Sequence, residues 1–342
     1  MQIRKKIKVL VVDDSALFRE VLARGLSTDN TIEVVDTASD PYDAKDKILE
    51  HKPDVMICDI QMPRMNGIEF IRRLLPQYPI PVIVISTVSS AVFDAIAAGA
   101  VDFIAKPVAN SPDSIMDFIY ELIYKVKIAS TAKIVGRQTV SAADTSLRTV
   151  TGTNAEKIIA IGASTGGTEA ISQIINALPE NMPGIVVVQH IPPMFSRMFA
   201  QRLDATSALE VREAKNGDYV EPGKVLIAPG DHHMRIRRVG SRYKVECFKG
   251  EKVNGHCPSV DVLFESVARE AGDKAIGIIL TGMGYDGAKG LLAMKMKGAR
   301  TIGQDEASSV VYGMPKVAYS IGAVDRQVPL DRIVDTLFSM LH

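Results

Sequence analysis

The sequence predicts an α/β protein made of two parallel-sheet domains in series, the second doubly wound and carrying a β-hairpin insertion. Three observations predict it. The chain has 342 residues, about twice the length of an ordinary domain. Short apolar runs alternate with helix-period segments in the first third, and the same alternation resumes at Lys157. Between these halves, Ala129–Thr153 is rich in Ser, Thr, Ala and Gly, has few large apolar residues, and shows no period, so it reads as a linker. The domains are therefore expected at 1–127 and 155–342, joined by a linker at 128–154.

In order, Ile7–Val12 reads as a buried strand, followed by a helix with Leu17, Val21, Leu22 and Leu26 on one face. Ile32–Thr37, Val55–Asp59, Val82–Thr87 and Asp102–Lys106 are the next strands. Tyr42–His51, Gly67–Leu75, Ala91–Ala98 and Asp113–Lys127 are the helices that cross between or follow them. Five short apolar strands with helical crossovers form a parallel sheet covered on both faces. In the second half, Ile158–Ile161, Gly184–Val188 and Ala275–Thr281 are strand-like. Glu169–Leu178, Pro193–Leu203, Val260–Ala271, Ala288–Lys297 and Leu330–Leu341 have helical period. Residues 209–253 break into shorter alternating segments punctuated by Asn216-Gly217, Pro222-Gly223 and Pro229-Gly230, the pattern of an inserted β-hairpin region.

Composition excludes several classes. Forty Lys plus Arg balance forty Asp plus Glu, which removes the basic excess of a nucleic-acid binder. A hydrophobic content of 46% is too high for a disordered chain. No apolar run approaches the roughly 18 residues of a membrane span. The apolar stretch behind the basic N-terminus runs only from Val9 to Val12 before two aspartates, too short for an export signal. The three cysteines have no C-x-x-C spacing, and their odd number fits a reducing cytoplasm.

Two groups of polar residues fall at the carboxyl ends of predicted strands, where open α/β sheets bind ligands. The first comprises Asp13 and Asp14 after the first strand, Asp59 at the end of the third, Thr87 at the end of the fourth and Lys106 at the end of the fifth. Converging carboxylates need a counter-charge, and a hard cation such as Mg²⁺ supplies it through oxygen ligands. Each residue alone is also an ordinary cap or turn residue. Together, in VLVVDDS, DVMICDIQMPRMNG, VIVIST and DFIAKP, they resemble the receiver domain of two-component response regulators over about residues 5–126. The resemblance implies a flavodoxin-like five-stranded sheet, Asp59 as phospho-acceptor, and Asp13 and Asp14 with Asp59 as Mg²⁺ ligands. It also implies Thr87 and Lys106 as switch residues and a cis Lys106–Pro107 bond.

The second group begins in IIAIGASTGGTEA, a strand, a small-residue turn and a helix. Gly162 to Gly166 fit the G-x-S-x-G nucleophile elbow, in which Ser164 projects from a tight turn. A phosphate-binding turn is the alternative, weakened by the lack of G-x-G-x-x-G and of G-K-[ST]. A nucleophilic serine needs a base. His190 follows the buried run Val186–Gln189 and so lies at a strand's carboxyl end. His232, His233 and His256 follow turns and fit surface or substrate-contacting roles equally well. Asp286 lies past the strand Ala275–Leu280 and beside a helix start, where an orienting acid and a helix N-cap are equally consistent with the local pattern.

IGASTGG, VVVQHIPPMFSRMFAQRL, APGDHHM, HCPSVDVLFESVA, LTGMGYDGAKGL and DEASSVVYGMP are similar to the CheB family of chemotaxis protein-glutamate methylesterases, and with the receiver the likeness spans essentially the whole chain. It implies a Ser164–His190–Asp286 triad and an oxyanion site formed by the backbone amides of Thr165 and Met283. It implies hydrolysis of glutamate methyl esters on methyl-accepting chemoreceptors, with release of methanol, and deamidation of receptor glutamines. No cofactor is needed for that reaction. A chemotaxis histidine kinase is the implied phosphodonor, and the unphosphorylated receiver is expected to block the catalytic cleft. Neither nucleic acid nor membrane insertion is expected, and the enzyme is expected in the cytoplasm. The zero net charge also splits: residues 1–127 carry 15 basic and 18 acidic residues (−3), and residues 128–342 carry 25 and 22 (+3). These opposite signs are weakly compatible with docking between the halves. The rival readings are a serine hydrolase of other specificity, a transcription regulator, which would need a helix-turn-helix that is not evident, and an inactive phospho-dependent scaffold.

Overall fold

The computed structural model describes residues 5–87, 90–107, 112–134 and 156–341. The chain forms two compact units that divide at residue 134. Of the stretch read as a linker, residues 135–154 lie outside the described residues.

The first unit runs β1 (Ile7–Val12), α1 (Ala16–Leu26), β2 (Ile32–Ala38), α2 (Pro41–His51), β3 (Val55–Asp59), α3 (Gly67–Leu74), β4 (Val82–Ser86), α4 (Ala91–Ala97), β5 (Asp102–Ala105) and α5 (Pro112–Ala129). Its strands lie in the order β2-β1-β3-β4-β5, all parallel. Val9–Val12, Val55–Cys58 and Val82–Val84 are wholly buried, which is why these strands are apolar runs and not alternating ones. Helix starts are set by side chains that accept orphan backbone N–H groups: Ser15 from Phe18, Asp40 from Tyr42 and Asp43, and Asn66 from Glu69. Helix α5 continues two residues beyond the expected end, to Ala129, because Ile128 and Ala129 are themselves buried.

The second unit runs β6 (Ile158–Ala163), α6 (Gly167–Asn176), β7 (Gly184–Gln189), α7 (Phe195–Thr206), β8 (Glu210–Glu213), β9 (Tyr219–Val220), β10 (Lys224–Ile227), β11 (His233–Val239), β12 (Arg242–Phe248), α8 (Val260–Glu270), β13 (Ala275–Ile279), α9 (Ala288–Met296), β14 (Arg300–Gln304), α10 (Met314–Ser320), β15 (Arg326–Val328) and α11 (Ile333–Leu341). A seven-stranded parallel sheet has the order β15-β14-β13-β6-β7-β10-β8, and β11-β12-β9 form a separate antiparallel sheet. The chain starts at β6, moves outward through β7, and returns on the other flank through β13. The switch in strand order therefore falls at β6. Phe195 and Phe199 of α7 and Phe264 of α8 are fully buried side chains. Each is worth roughly 1.5–3 kcal/mol by area removed from water.

The expected hairpin is present as β11–β12, paired from His233↔Phe248 to Val239↔Arg242. The flanking segments β8 and β10 instead extend the main sheet. The strands β14 and β15 were not anticipated, since RTIGQ and RQV are short and half polar.

Candidate functional sites

In the first unit, Asp13 lies just beyond β1 and Asp59 ends β3, either side of the switch between β1 and β3. Both are buried, and Asp14 beside them is exposed. Their carboxylate oxygens lie within 4.8 Å of one another. Lys106, one residue past β5, donates to Asp13 Oδ2 at 2.9 Å and to Asp59 Oδ2 at 2.7 Å. Its ammonium also lies 4.9 Å from the centre of the Phe18 ring. Burial pushes the Asp59 carboxyl above its usual range, against the pull of Lys106 and with the Asp13 charge adding to the rise. Burial works against the Lys106 charge, but its two hydrogen-bonded carboxylates outweigh this and raise its pKa. Thr87 follows β4 and is exposed; no hydrogen bond joins it to the aspartates or Lys106 among the described residues. Three hard oxygen ligands in this compass suit a magnesium ion by charge and donor type. The Lys106–Pro107 bond, expected cis, is not; among the described residues the cis bond is Cys257–Pro258. An X–Pro bond separates the two isomers by only about 0.5–1 kcal/mol, so local surroundings decide the isomer.

In the second unit, Ser164, His190 and Asp286 follow β6, β7 and β13, three adjacent strands. The elbow is built from small residues because it is crowded. Ser164 N–H donates to Thr281 O at 3.0 Å, and a Cβ on Gly282 would stand 2.6 Å from Ser164 Cβ. Gly166, at φ +78°, begins α6 in the left-handed region that glycine adopts readily. His190 is fixed to the same turn, its N–H donating to Ala163 O at 3.1 Å.

His190 Nε2 and Asp286 Oδ2 are 2.8 Å apart. Hydrogen bonds from a serine, an asparagine and two backbone amides saturate this carboxylate, which leaves it an acceptor only. Nε2 therefore carries a proton, and in the neutral ring Nδ1 presents a lone pair. Nδ1 is buried and has no hydrogen-bond partner among the described residues, Ser164 Oγ included. Asp286 Oδ1 accepts from Ser259 Oγ (2.8 Å), Asn254 Nδ2 (2.8 Å) and Asp261 N–H (3.2 Å), and Oδ2 accepts from Val260 N–H (2.7 Å). Burial alone would push its carboxyl up, but the His190 and Asn254 donors, with Ser259, outweigh it and hold Asp286 well below the usual carboxylate range. The capping alternative is thus met in an unexpected way. Asp286 precedes α9, yet its carboxylate caps α8, through the N–H groups of Val260 and Asp261.

The other histidines separate by contact. His256 stacks on His190, with ring centres 3.7 Å apart and planes at 12°. His233 is buried; its Nε2 meets Glu251 O at 2.8 Å and its Nδ1 accepts from Ser259 N–H, so it braces the loop beneath Asp286. His232 is held locally, its Nδ1 3.2 Å from Gly230 O. Thr165 is buried at the turn and Met283 is partly exposed on the loop after β13. That loop is clamped: Thr281 Oγ1 donates to Thr165 O at 3.0 Å, and Gly282 O accepts from Met314 N–H at 2.8 Å.

Sequence reasoning missed Asn254, Ser259, Asp261, Thr281 and Gln189, which hold the candidate triad without belonging to it. Asn254 sits at φ +52° and donates to both Asp286 and Asp261 Oδ2 (2.7 Å). Burial pushes the Asp261 carboxyl up, and the Asp286 charge adds to this. The only sequence signal for Asn254 was Asn-Gly, which reads as a turn.

Comparison with known proteins bears on the whole chain. The family model for the response regulator receiver domain matches residues 9–119, and that for CheB methylesterase matches residues 159–337. A protein-glutamate methylesterase/protein-glutamine glutaminase 2 of Syntrophomonas wolfei is 57% identical over 340 residues, covering 99% of this chain and 98% of that protein. A protein-glutamate methylesterase/protein-glutamine glutaminase of Syntrophotalea carbinolica is 51% identical over 346 residues, covering 97% and 98%. The crystal structure of the Thermotoga maritima CheB methylesterase catalytic domain aligns with a TM-score of 0.53 at 42% identity, covering 54% of this chain and 98% of that one. With a receiver domain before it and its strand-end serine, histidine and aspartate in place, the chain belongs to the CheB methylesterase family.

Proposed function

We propose that this chain is a receiver-controlled protein-glutamate methylesterase and protein-glutamine glutaminase serving chemotactic adaptation, with Ser164, His190 and Asp286 as its triad. The observation that carries the triad is the His190–Asp286 contact of 2.8 Å, which leaves the buried Nδ1 of His190 as a lone pair at the strand end next to Ser164. Nδ1 takes the Ser164 proton as Oγ attacks the γ-carbonyl carbon of a receptor glutamate methyl ester. The amides of Thr165 and Met283 receive the oxyanion. As it collapses, methoxide takes the proton from His190 and leaves as methanol. Water, losing a proton to Nδ1, then attacks the acyl-enzyme; Nδ1 returns that proton to Ser164 Oγ as it leaves, and the freed glutamic acid loses its own proton to solvent. A glutamine side chain passes through the same steps with ammonia as the leaving group. Asp286 orients the ring and stabilises the imidazolium. The contact between Ser164 Oγ and Nδ1 closes when substrate is bound, as is common for catalytic hydrogen bonds.

Asp59 is the proposed phospho-acceptor, with a chemotaxis histidine kinase as donor and methyl-accepting chemoreceptors as substrates in the cytoplasm. Asp13, Asp14 and Asp59 would hold Mg²⁺. Bound there, the ion supplies positive charge against the phosphoryl oxygens. Lys106, already between Asp13 and Asp59, and Thr87 contact the phosphoryl group on this reading. The proposed domain limits are 1–127 and 155–342, with the linker at 128–154. Methanol release from methylated receptor membranes is the test: Ser164→Ala abolishes it while the protein stays folded. Full release by the variant would overturn the triad.

A further inference from the structure

We propose that Gln189 is a positioning residue of the esterase reaction, whose side-chain amide aims the Thr165 N–H at the oxyanion and ties the nucleophile turn to the base. The inference rests on the reading of Ser164 as nucleophile and deepens it.

Gln189 is the last residue of β7 and is 3% exposed. Its Nε2 donates to Ser164 O at 2.9 Å and to His190 O at 3.2 Å. Both partners are carbonyl oxygens, which only accept, so the NH₂ end of the amide must face them and the orientation is settled by chemistry. Ser164 O belongs to the same peptide unit as the Thr165 N–H. In a planar trans peptide these two bonds point in opposite directions. Whatever fixes the Ser164 carbonyl therefore fixes the direction of the Thr165 N–H. That carbonyl is held by two donors, Gln189 Nε2 and the Gly167 N–H at 2.7 Å. Of the two, the Gly167 amide moves with the turn itself, whereas Gln189 reaches it from the neighbouring strand. Gln189 thereby sets the plane of the turn against the strand that carries His190.

A second observation marks the residue as more than packing. Gln189 Oε1 is buried and has no hydrogen-bond partner among the described residues. It packs over the first residue of α6, where a Cβ on Gly167 would stand 2.2 Å away. An apolar side chain of similar length would avoid this unmet acceptor, so packing alone does not account for a glutamine here. The positive end of α6 partly offsets the oxygen's isolation.

The test uses the full-length chain, methylated receptor membranes and a fluorophosphonate probe, whose phosphoryl oxygen enters the oxyanion site. Gln189→Met keeps the length and removes both donors. The expected result is a kcat lowered about 10–100-fold with KM within twofold, less than the loss of a whole oxyanion donor. Probe labelling should slow by a similar factor but still reach one label per chain. Because the endpoint counts folded sites, a folding defect would lower the endpoint, whereas mis-aiming lowers only the rate. Gln189→Glu, which replaces the donors with a carboxylate against two carbonyls, should lose more than Gln189→Met. Unchanged kcat and labelling rate, or a change confined to KM, would overturn the proposal. Ser164→Ala separates the underlying reading: if that variant still labels and releases methanol, the nucleophile assignment fails whatever Gln189 does.

Discussion

At the scale of single residues, the two sites treat their carboxylates in opposite ways. Asp286 is buried among donors that favour its charge, so its folded pKa lies below the ordinary 3.8. A depressed carboxyl stabilises the fold fully above the unfolded pKa, and that stability is lost as pH falls through the folded value. The urea midpoint gap between wild type and Asp286→Asn should therefore narrow as pH drops below about 4; a gap independent of pH would contradict this. The same variant should lower kcat by about 10⁴, because the amide favours the wrong ring tautomer of His190. Asp59 is the reverse case. Its raised pKa means that its charge is disfavoured in the fold, a penalty absent in acid that appears as pH rises above the ordinary carboxyl value and is complete above the folded one. Asp59→Asn leaves Lys106 paired with Asp13, so it should stabilise the receiver at neutral pH by about 0.5–2 kcal/mol. It should also keep basal methanol release and lose phosphodonor stimulation; calorimetry and the release assay check both halves. The residues named from the sequence lie at strand ends, where position alone signals chemistry. Asn254 and Ser259 were illegible because they reach Asp286 from 32 and 27 residues away, with α8 and β13 between them and it.

At the scale of elements, the aspartate in contact with His190 is also a helix cap. Ser259 begins α8, accepting weakly from Val262 N–H, and donates its own hydroxyl proton to Asp286. Ser259→Ala should cost about 1–2 kcal/mol in urea unfolding, as cap losses do, and should lower kcat as well. A variant that loses stability at unchanged kcat would uncouple the cap from the site. The turn after β13 is intolerant for a different reason. A side chain at Gly282 would meet Ser164 Cβ at 2.6 Å and Met314 Sδ at 2.5 Å, so Gly282→Ala should cut methanol release at least tenfold. Periodicity identified the strands that are buried on both faces, β1, β3, β4, β6, β7 and β13, because such strands are unbroken apolar runs. It missed β14 and the edge strand β15, where polar residues are acceptable and few residues are available to show a pattern. It also misassigned β8 and β10 to the insertion, since segments of four residues carry no sign of which sheet they will join.

At the scale of the whole molecule, each unit has its own sheet and its own buried apolar residues. A chain of residues 155–342 should therefore fold alone, release methanol and show no response to a small phosphodonor. On the proposed control by the receiver, its unstimulated rate should exceed that of the full-length chain. An equal or lower rate from the folded fragment would count against a blocking receiver. Two domains were legible from length and from the change in composition after Lys127, whereas what joins them leaves no periodic signal to read. One feature of the second sheet also bears on how the enzyme comes into being. Ser164 and His190 lie on β6 and β7, which follow one another in the chain, but Asp286 arrives 96 residues after His190, when β13 returns to the other side of β6. Closing so long a loop is slow compared with forming local contacts. In refolding, or on the ribosome, the proposed nucleophile and base are thus assembled before the aspartate that meets His190. On the proposed triad, a chain that has paired only β6 with β7 stays idle, and regained esterase activity will report the pairing of β13 with β6 and not the first collapse.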